Sequence, residues 1–189
     1  MVLSSVLDSS SAAGTTRELP PQEGIPADRF AALFRNHPAG VAVITADPGT
    51  GPAALTATSV ISVSADPALV VFSLSAAASA TPAVREADTV VVHLLGADDL
   101  ELARLCSTSG ADRFADASLW SILPTGEPFF HGVGSWMRAR VISRADVGAA
   151  TVITAHVIDA SDPDADARIA RPLVYHHRAW HTLGEVSRL

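Results

Sequence analysis

The stretch Leu55–Pro67, LTATSVISVSADP, decides how this chain is read. Its Val, Ile and Thr content is that of a β-strand, and Ala65-Asp66-Pro67 closes it with turn chemistry. It also carries five hydroxyl side chains and no charge before Asp66. Thr56, Thr58, Ser62 and Ser64 are all even-numbered, so an unbroken strand puts them on one face. Outer faces normally carry Lys, Glu or Arg, and this one carries none. Small hydroxyls and Ala leave the backbone open to close approach by a flat ligand. Alternation alone leaves solvent and ligand both open for that face.

The neighbouring segments share the strand signature. Residues 40–46, 53–64, 68–75 and 89–95 are short and rich in Val, Ile and Thr, and so are 133–144, 149–159 and 172–176. Helical patterns are few. IPADRFAALFRNHP at 25–38 has Pro26 in its first turn, an apolar stripe of Phe30, Leu33 and Phe34, and Pro38 as its stop. A second helix starts at Thr81-Pro82, with Thr81 as N-cap. A third runs from about Asp98, capped by Asp98 or Asp99 and closed by Gly110. Six or seven short strands with few helices predict a mainly β protein. A closed antiparallel barrel fits them better than a doubly wound parallel sheet.

Bulk properties narrow the function. At 189 residues the chain has room for one domain, expected over 25–189, behind a flexible Ser-, Gly- and Pro-rich tail at 1–24. The net charge of -7, from 20 acidic and 13 basic residues, argues against nucleic acid and anionic membranes as partners. A lone cysteine, Cys106, excludes an internal disulfide and fits a reducing cytoplasm, with the thiol as a small core residue. No apolar run approaches the roughly 20 residues of a membrane span. There is no GxGxxG after a strand, no P-loop, no GxSxG elbow and no HExxH.

One segment carries a chemical hint. In SLSAAASATPAVREA, residues 73–87, the expected helix start would present free N–H groups beside the hydroxyls of Ser79 and Thr81. An ordinary capped helix and an anion site are both compatible with it. If the opening strand and this segment converge, they suit one ligand with an aromatic head and a phosphate tail.

In order and spacing, LTATSVISVSADP, SATPAVREADTVVVHLL, the later ADRF and PLVYHHRAWH resemble the flavin reductase family over about residues 28–182. The resemblance implies an FMN-binding antiparallel split β-barrel with a few short helices. It implies reduction of FMN, or FAD, by NADH or NADPH. It implies a homodimer with flavin at the interface, and a flavin-dependent monooxygenase as a possible partner. Carried over by position, Thr56, Ala57, Thr58 and Ser59 would line the ring and ribityl chain, with Ser73, Leu74 and Ser75 beside them. Ser79 and Thr81 would contact the phosphate, and Arg113 and Phe114 belong to the D-R-F element beside the flavin. The chain departs from the family at Ala149-Ala150, where many members carry Asp-His near the nicotinamide, and at Ala155-His156, where they carry Gly-Glu.

Single residues have plainer readings. His177 and His181 are four apart, but they lie in a strand and turn, so no metal is expected. His176 and Trp180 are the better candidates for a flavin or nicotinamide contact, and His93 reads as a hydrogen-bonded core histidine. Residues 159–166, DASDPDAD, read as a solvated acidic loop. No catalytic acid, base or nucleophile is needed for hydride transfer between two stacked rings. Three functions compete: an NAD(P)H-dependent flavin reductase, a flavin-binding split barrel with little turnover, and a flavoenzyme of the pyridoxamine-phosphate oxidase type.

Overall fold

The computed structural model describes residues 24–162 and 171–189. The tail expected at 1–24, apart from Gly24, and the second half of the acidic loop lie outside the described residues. Helix α1 (Ala27–Arg35) leads into β1 (Ala39–Gly40), β2 (Ala42–Ala46), β3 (Ala53–Ala57), β4 (Ile61–Ala65) and β5 (Ala68–Ser75). Helix α2 (Thr81–Glu86), β6 (Thr89–Leu94) and α3 (Leu100–Ser107) follow. The chain then forms β7 (Trp120–Ile122), β8 (Pro128–Phe130), β9 (Ser135–Val147) and β10 (Ala150–Ala160). It ends with the hairpin β11 (Leu173–His176) and β12 (Ala179–Thr182).

Seven strands make one antiparallel sheet in the order β3-β2-β6-β9-β10-β5-β4. β3 and β4 are consecutive in sequence, yet they sit at opposite ends of this order with no ladder between them. That gap is the split in the barrel. Inside the curl, Ile44, Phe72, Leu74, Val90, Val92 and Ile153 form the main core. The other face of β2 packs a second core, in which Val43 joins Cys106 of α3, Phe130 of β8 and Leu173 of β11. β2 is therefore covered on both sides, and its sequence AVITA is buried at every position.

Two buried polar groups in this region are fully partnered. The neutral ring of His93 donates from Nδ1 to the Val43 carbonyl (3.3 Å) and accepts at Nε2 from the Phe130 N–H (3.1 Å). Burial pushes its pKa down to about 4. Glu127 is 2% exposed and takes hydrogen bonds from Thr89, Thr125 and Arg138 Nε (2.7 Å). Burial raises its pKa, but the donors from Thr125, Thr89 and Arg138 together outweigh it and hold the carboxyl below its usual range.

Several expectations change in detail. The strand expected at 40–46 divides at Val41, which donates to the Leu173 carbonyl (3.2 Å) and accepts from the Leu95 N–H (3.0 Å), so β1 joins the separate sheet β1-β11-β12. The strand expected at 53–64 breaks at Thr58–Val60, and a register shift follows between Ser62 and Ser64. The argument for a single hydroxyl face therefore fails across the break. Thr81 is the first residue of α2, whose N-cap is Ala80, and no side chain caps that helix. The stripe on α1 is not buried in this chain: Phe30, Leu33 and Phe34 are 53%, 61% and 59% exposed. The short pairs β7-β8 and β11-β12 add three strands that sequence periodicity missed.

Candidate functional site

The opening stretch answers its own question at the break. Ser59 Oγ donates to the Ser73 carbonyl (3.2 Å) and accepts from the Ser73 N–H (3.0 Å). β4 pairs with β5 only as far as Val71, so this hydroxyl does the work of a ladder where the strand has left.

Beyond the break lies a cavity of about 560 Å³. Thr58, Ser59 and Ile61 form one wall, Phe34 and Arg35 of α1 another, and Tyr175 and His176 of β11 a third. His177 and Arg178, the turn between β11 and β12, complete the rim. A second cavity, about 230 Å³, sits at the other end of β3. Pro52, Ala53, Ser79, Asp112, Arg113 and Phe114 line it. At about 3.3 Å per strand residue, Ala54 and Ser59 are separated by at most roughly 17 Å along the chain.

The expected site residues divide among four surroundings. Thr58, Ser59 and His176 meet in the larger cavity. Ser79, Arg113 and Phe114 meet in the smaller one. Ser73 and Ser75 are exposed at the end of β5, between the two groups along the chain. The remaining four are taken up by packing or by internal bonds. Ala57 and Leu74 are core residues. Thr56 Oγ1 donates to the Ala103 carbonyl of α3 (2.8 Å). Thr81 is buried and its Oγ1 donates to the Ser75 carbonyl (2.7 Å), so it fastens the loop and has no free proton for a ligand.

Local bonds explain why the smaller cavity exists. Arg113 Nε donates to the Cys106 carbonyl and its NH2 group to the Thr108 carbonyl, both at 3.2 Å, which folds residues 108–113 back over the end of α3. Phe114 stacks on Phe130 with ring centroids 5.4 Å apart and receives Trp120 edge-on at 4.8 Å. All three tryptophans are held by aromatic neighbours: Trp120 by Phe114, Trp136 by Phe129 and Trp180 by Tyr175. Ala149, the first residue of the departure from the family pattern, accepts from the Ala76 N–H (3.0 Å), and Ala150 pairs with Ser75. The substitution therefore borders the loop that carries Ser79.

The residues present fit a flavin mononucleotide. A phosphate needs donors, and the smaller cavity offers the Ser79 hydroxyl and the Arg113 guanidinium. A planar ring needs aromatic and small polar walls, and the larger cavity offers Phe34, Tyr175, His176 and the Thr58–Ser59 hydroxyls. Sequence reasoning missed Arg35, Tyr175 and Arg178. Their signal was present in the cationic ends of α1 and of YHHRAWH, but nothing in the sequence shows that those two segments meet. Among the described residues, no group of three or more His, Cys, Asp or Glu side chains is arranged to hold a metal, and no helix is long and apolar enough to cross a membrane.

Comparison with known proteins gives the family and the fold. An NADH:FMN oxidoreductase from Rhodococcus qingshengii is 43% identical over 158 residues, spanning 84% of this chain and 82% of that protein. The crystal structure of a flavin reductase domain protein from Arthrobacter sp. FB24 superposes with a TM-score of 0.76 at 30% identity, covering 83% of this chain and 95% of that one. The flavin reductase component of a bacterial two-component tryptophan halogenase superposes with a TM-score of 0.71 at 25% identity, covering 84% and 98%. Residues 34–184 match the flavin reductase like domain, and the split barrel described above is the fold of these solved neighbours, so the chain belongs to the flavin reductase family.

Proposed function

We propose that this chain is an NADH-dependent flavin reductase that takes FMN before FAD and releases reduced flavin to a partner oxygenase. The observation that carries the reading is the pair of cavities joined by β3, one with aromatic walls and one with Ser79 and Arg113. Bound there, flavin supplies a ring that accepts hydride from a reduced nicotinamide. The chain's own residues bind and orient. Ser79 and Arg113 hold the phosphate and so fix where the ring lies. The hydroxyl of Thr58 and the bonded Ser59 leave a thin, uncharged wall beside the ring. Phe34 and Tyr175 exclude water from the face where the nicotinamide stacks. No side chain has to move a proton in that step.

The relatives' names favour NADH and FMN, and one structural neighbour is itself the reductase part of a two-component system. A cytoplasmic setting, with its reduced nicotinamide and low disulfide content, suits both the reaction and the buried, unpaired Cys106. Phe30, Leu33, Phe34, Ile61 and Val63 are exposed apolar residues, Phe34 and Ile61 among them line the larger cavity, and a second copy of the chain would cover them. Sedimentation should therefore give a dimer, and a fully active monomer would remove that part of the reading.

A second reading, flavin binding without turnover, is favoured by Ala149-Ala150, which offers no donor to a nicotinamide at the edge of the site. One experiment separates the two. The purified protein is titrated with FMN, and NADH oxidation is then followed with FMN and with FAD present. Faster oxidation with FMN than with FAD is the expected result. Flavin binding with no acceleration supports the second reading, and absence of both overturns the assignment.

A further inference from the structure

We propose that Arg144 and Asp146 of β9 are positioning residues for the phosphate end of the flavin, acting on Ser79 through α2. This rests on the reading of the smaller cavity as the phosphate site, and it adds the residues that set where the Ser79 hydroxyl stands. Ser79 lines that cavity and lies just before Ala80, the N-cap of α2, so its place follows the helix. α2 has six residues and no side-chain cap, and a helix that short has little stability of its own. The apolar side chains that α2 and its caps add to the main core are Ala80, Val84 and Ala87. Such small groups make few contacts, so they resist sliding along the sheet only weakly.

Polar bonds from the β9–β10 hairpin supply what packing lacks. Arg144 Nε donates to the Arg85 carbonyl (2.6 Å) and its Nη2 to the Ala87 carbonyl (2.7 Å). Both acceptors lie at the C-terminal end of α2, where carbonyls lack partners within the helix and a cation is favoured. Asp146, two residues further along β9, accepts from Arg85 Nη2 (2.7 Å) and from Thr151 Oγ1 of β10 (2.7 Å). One guanidinium thus holds the helix backbone, and one carboxylate ties its last turn to both strands of the hairpin. At the other end of the helix, the Thr81 hydroxyl holds the Ser75 carbonyl and the Ala76 N–H holds the Ala149 carbonyl. Ala149 and Ala150 have no polar side-chain atoms, so that end of the hairpin offers the Ser79 loop its backbone alone.

The clamp lies at the surface: the side chains of Arg85 and Asp146 are 49% and 59% exposed. An exposed ion pair adds little to global stability, so the consequence of these bonds is local. They fix α2 along its axis, and a shift of a fraction of an ångström is enough to spoil a hydrogen bond to phosphate. Neither Arg144 nor Asp146 lines either cavity, so both act through the helix.

The experiment is a double-mutant cycle on the full chain, read by fluorescence titration with FMN and with riboflavin. Arg144→Gln should weaken FMN by about fivefold and leave riboflavin within about twofold, with Tm lowered by only a few degrees. Asp146→Ala should weaken FMN by about threefold, and it carries the same cycle if Arg144→Gln does not fold. The two variants change the charge in opposite directions. A long-range attraction for phosphate would weaken FMN in the first and tighten it in the second, whereas lost positioning weakens it in both. Arg144→Lys, which keeps a cationic donor for the carbonyls, should fall between wild type and Arg144→Gln. In a Ser79→Ala chain, where the hydroxyl is already gone, Arg144→Gln should cost FMN less than about twofold. A residue that only supported the fold would weaken both flavins alike, and by the same factor with or without Ser79. That result overturns the proposal, as does unchanged FMN affinity in both single variants. If Ser79→Ala weakens FMN selectively and Arg144→Gln does not, the phosphate site stands and the positioning role alone is lost. If the wild type binds FMN no more tightly than riboflavin, the phosphate reading fails and the positioning role falls with it.

Discussion

The β6 region and the rim at the β3–β4 split use the same kinds of polar residue in opposite ways. Around β6 every buried polar side chain is engaged: His93 bridges Val43 and Phe130, and Glu127 collects Thr89, Thr125 and Arg138. At the rim, the Arg35 and Arg178 guanidiniums have no partner among the described residues, and Phe30, Leu33 and Phe34 are exposed. A polar group inside the fold must be paired or it costs stability. A polar group left free at a cavity costs little while solvated and becomes available to a ligand. The difference separates residues that hold the barrel together from residues that hold something else.

The contrast makes its largest demand at Glu127. Glu127→Ala leaves the half-buried Arg138 unpaired and Thr89 and Thr125 without their acceptor, and it should cost about 3 kcal/mol in urea unfolding. FMN affinity should change by less than about twofold, because neither Glu127 nor its three donors line either cavity. A loss of less than about 1 kcal/mol would mean that the β6 region is no more dependent on its polar pairs than the rim.

The next effect is pH dependence at His93. Its folded pKa of about 4 lies below the usual imidazole value of 6.5, so the unfolded chain binds the proton first. The stabilisation is fully present above pH 6.5 and is lost as pH falls towards 4. The loss should approach about 3 kcal/mol, at about 1.4 kcal/mol for each step of one in pKa. Glu127, held below its usual range, adds a further loss only at more acid pH. Unfolding free energies measured from pH 7 down to 4.5 check this, and a flat profile would remove His93 from the argument. The smallest effect belongs to Ser59, which stands on the boundary between the two regions. Ser59→Ala should cost about 1 kcal/mol, since both Ser73 backbone groups lose a partner but remain exposed to water.

How much of this was legible in the sequence follows from which signals are local. The mainly β class was legible, because Val-, Ile- and Thr-rich runs at 68–75 and 89–95 are dictated by burial on a pleated surface. Thr58, Ser59, Ser79, Arg113 and His176 were picked out because their types and order match a family pattern, and they line the two cavities. The break at Thr58–Val60 was half legible: alternation separates Ser59 from Thr56 and Thr58 and so suggests a bulge near Val60, but only the Ser73 contact shows what fills the gap. Thr81 was misread because Thr before Pro is a good cap locally, whereas its hydroxyl is taken by Ser75 six residues back. Arg35 and Arg178 were not legible, since their meeting depends on α1 docking against the β11–β12 turn. The exposure of Phe30 and Leu33 was invisible for a similar reason, as amphipathicity says that a face is covered and not by what.

The central claim is that the cavities at the two ends of β3 hold one flavin, phosphate at Ser79 and Arg113. FMN and riboflavin, which differ only in that phosphate, should be titrated by fluorescence against the wild type and against Ser79→Ala combined with Arg113→Gln. The account expects FMN to weaken by about tenfold and riboflavin to stay within about twofold. Equal weakening of both ligands, or no weakening of FMN, would contradict it.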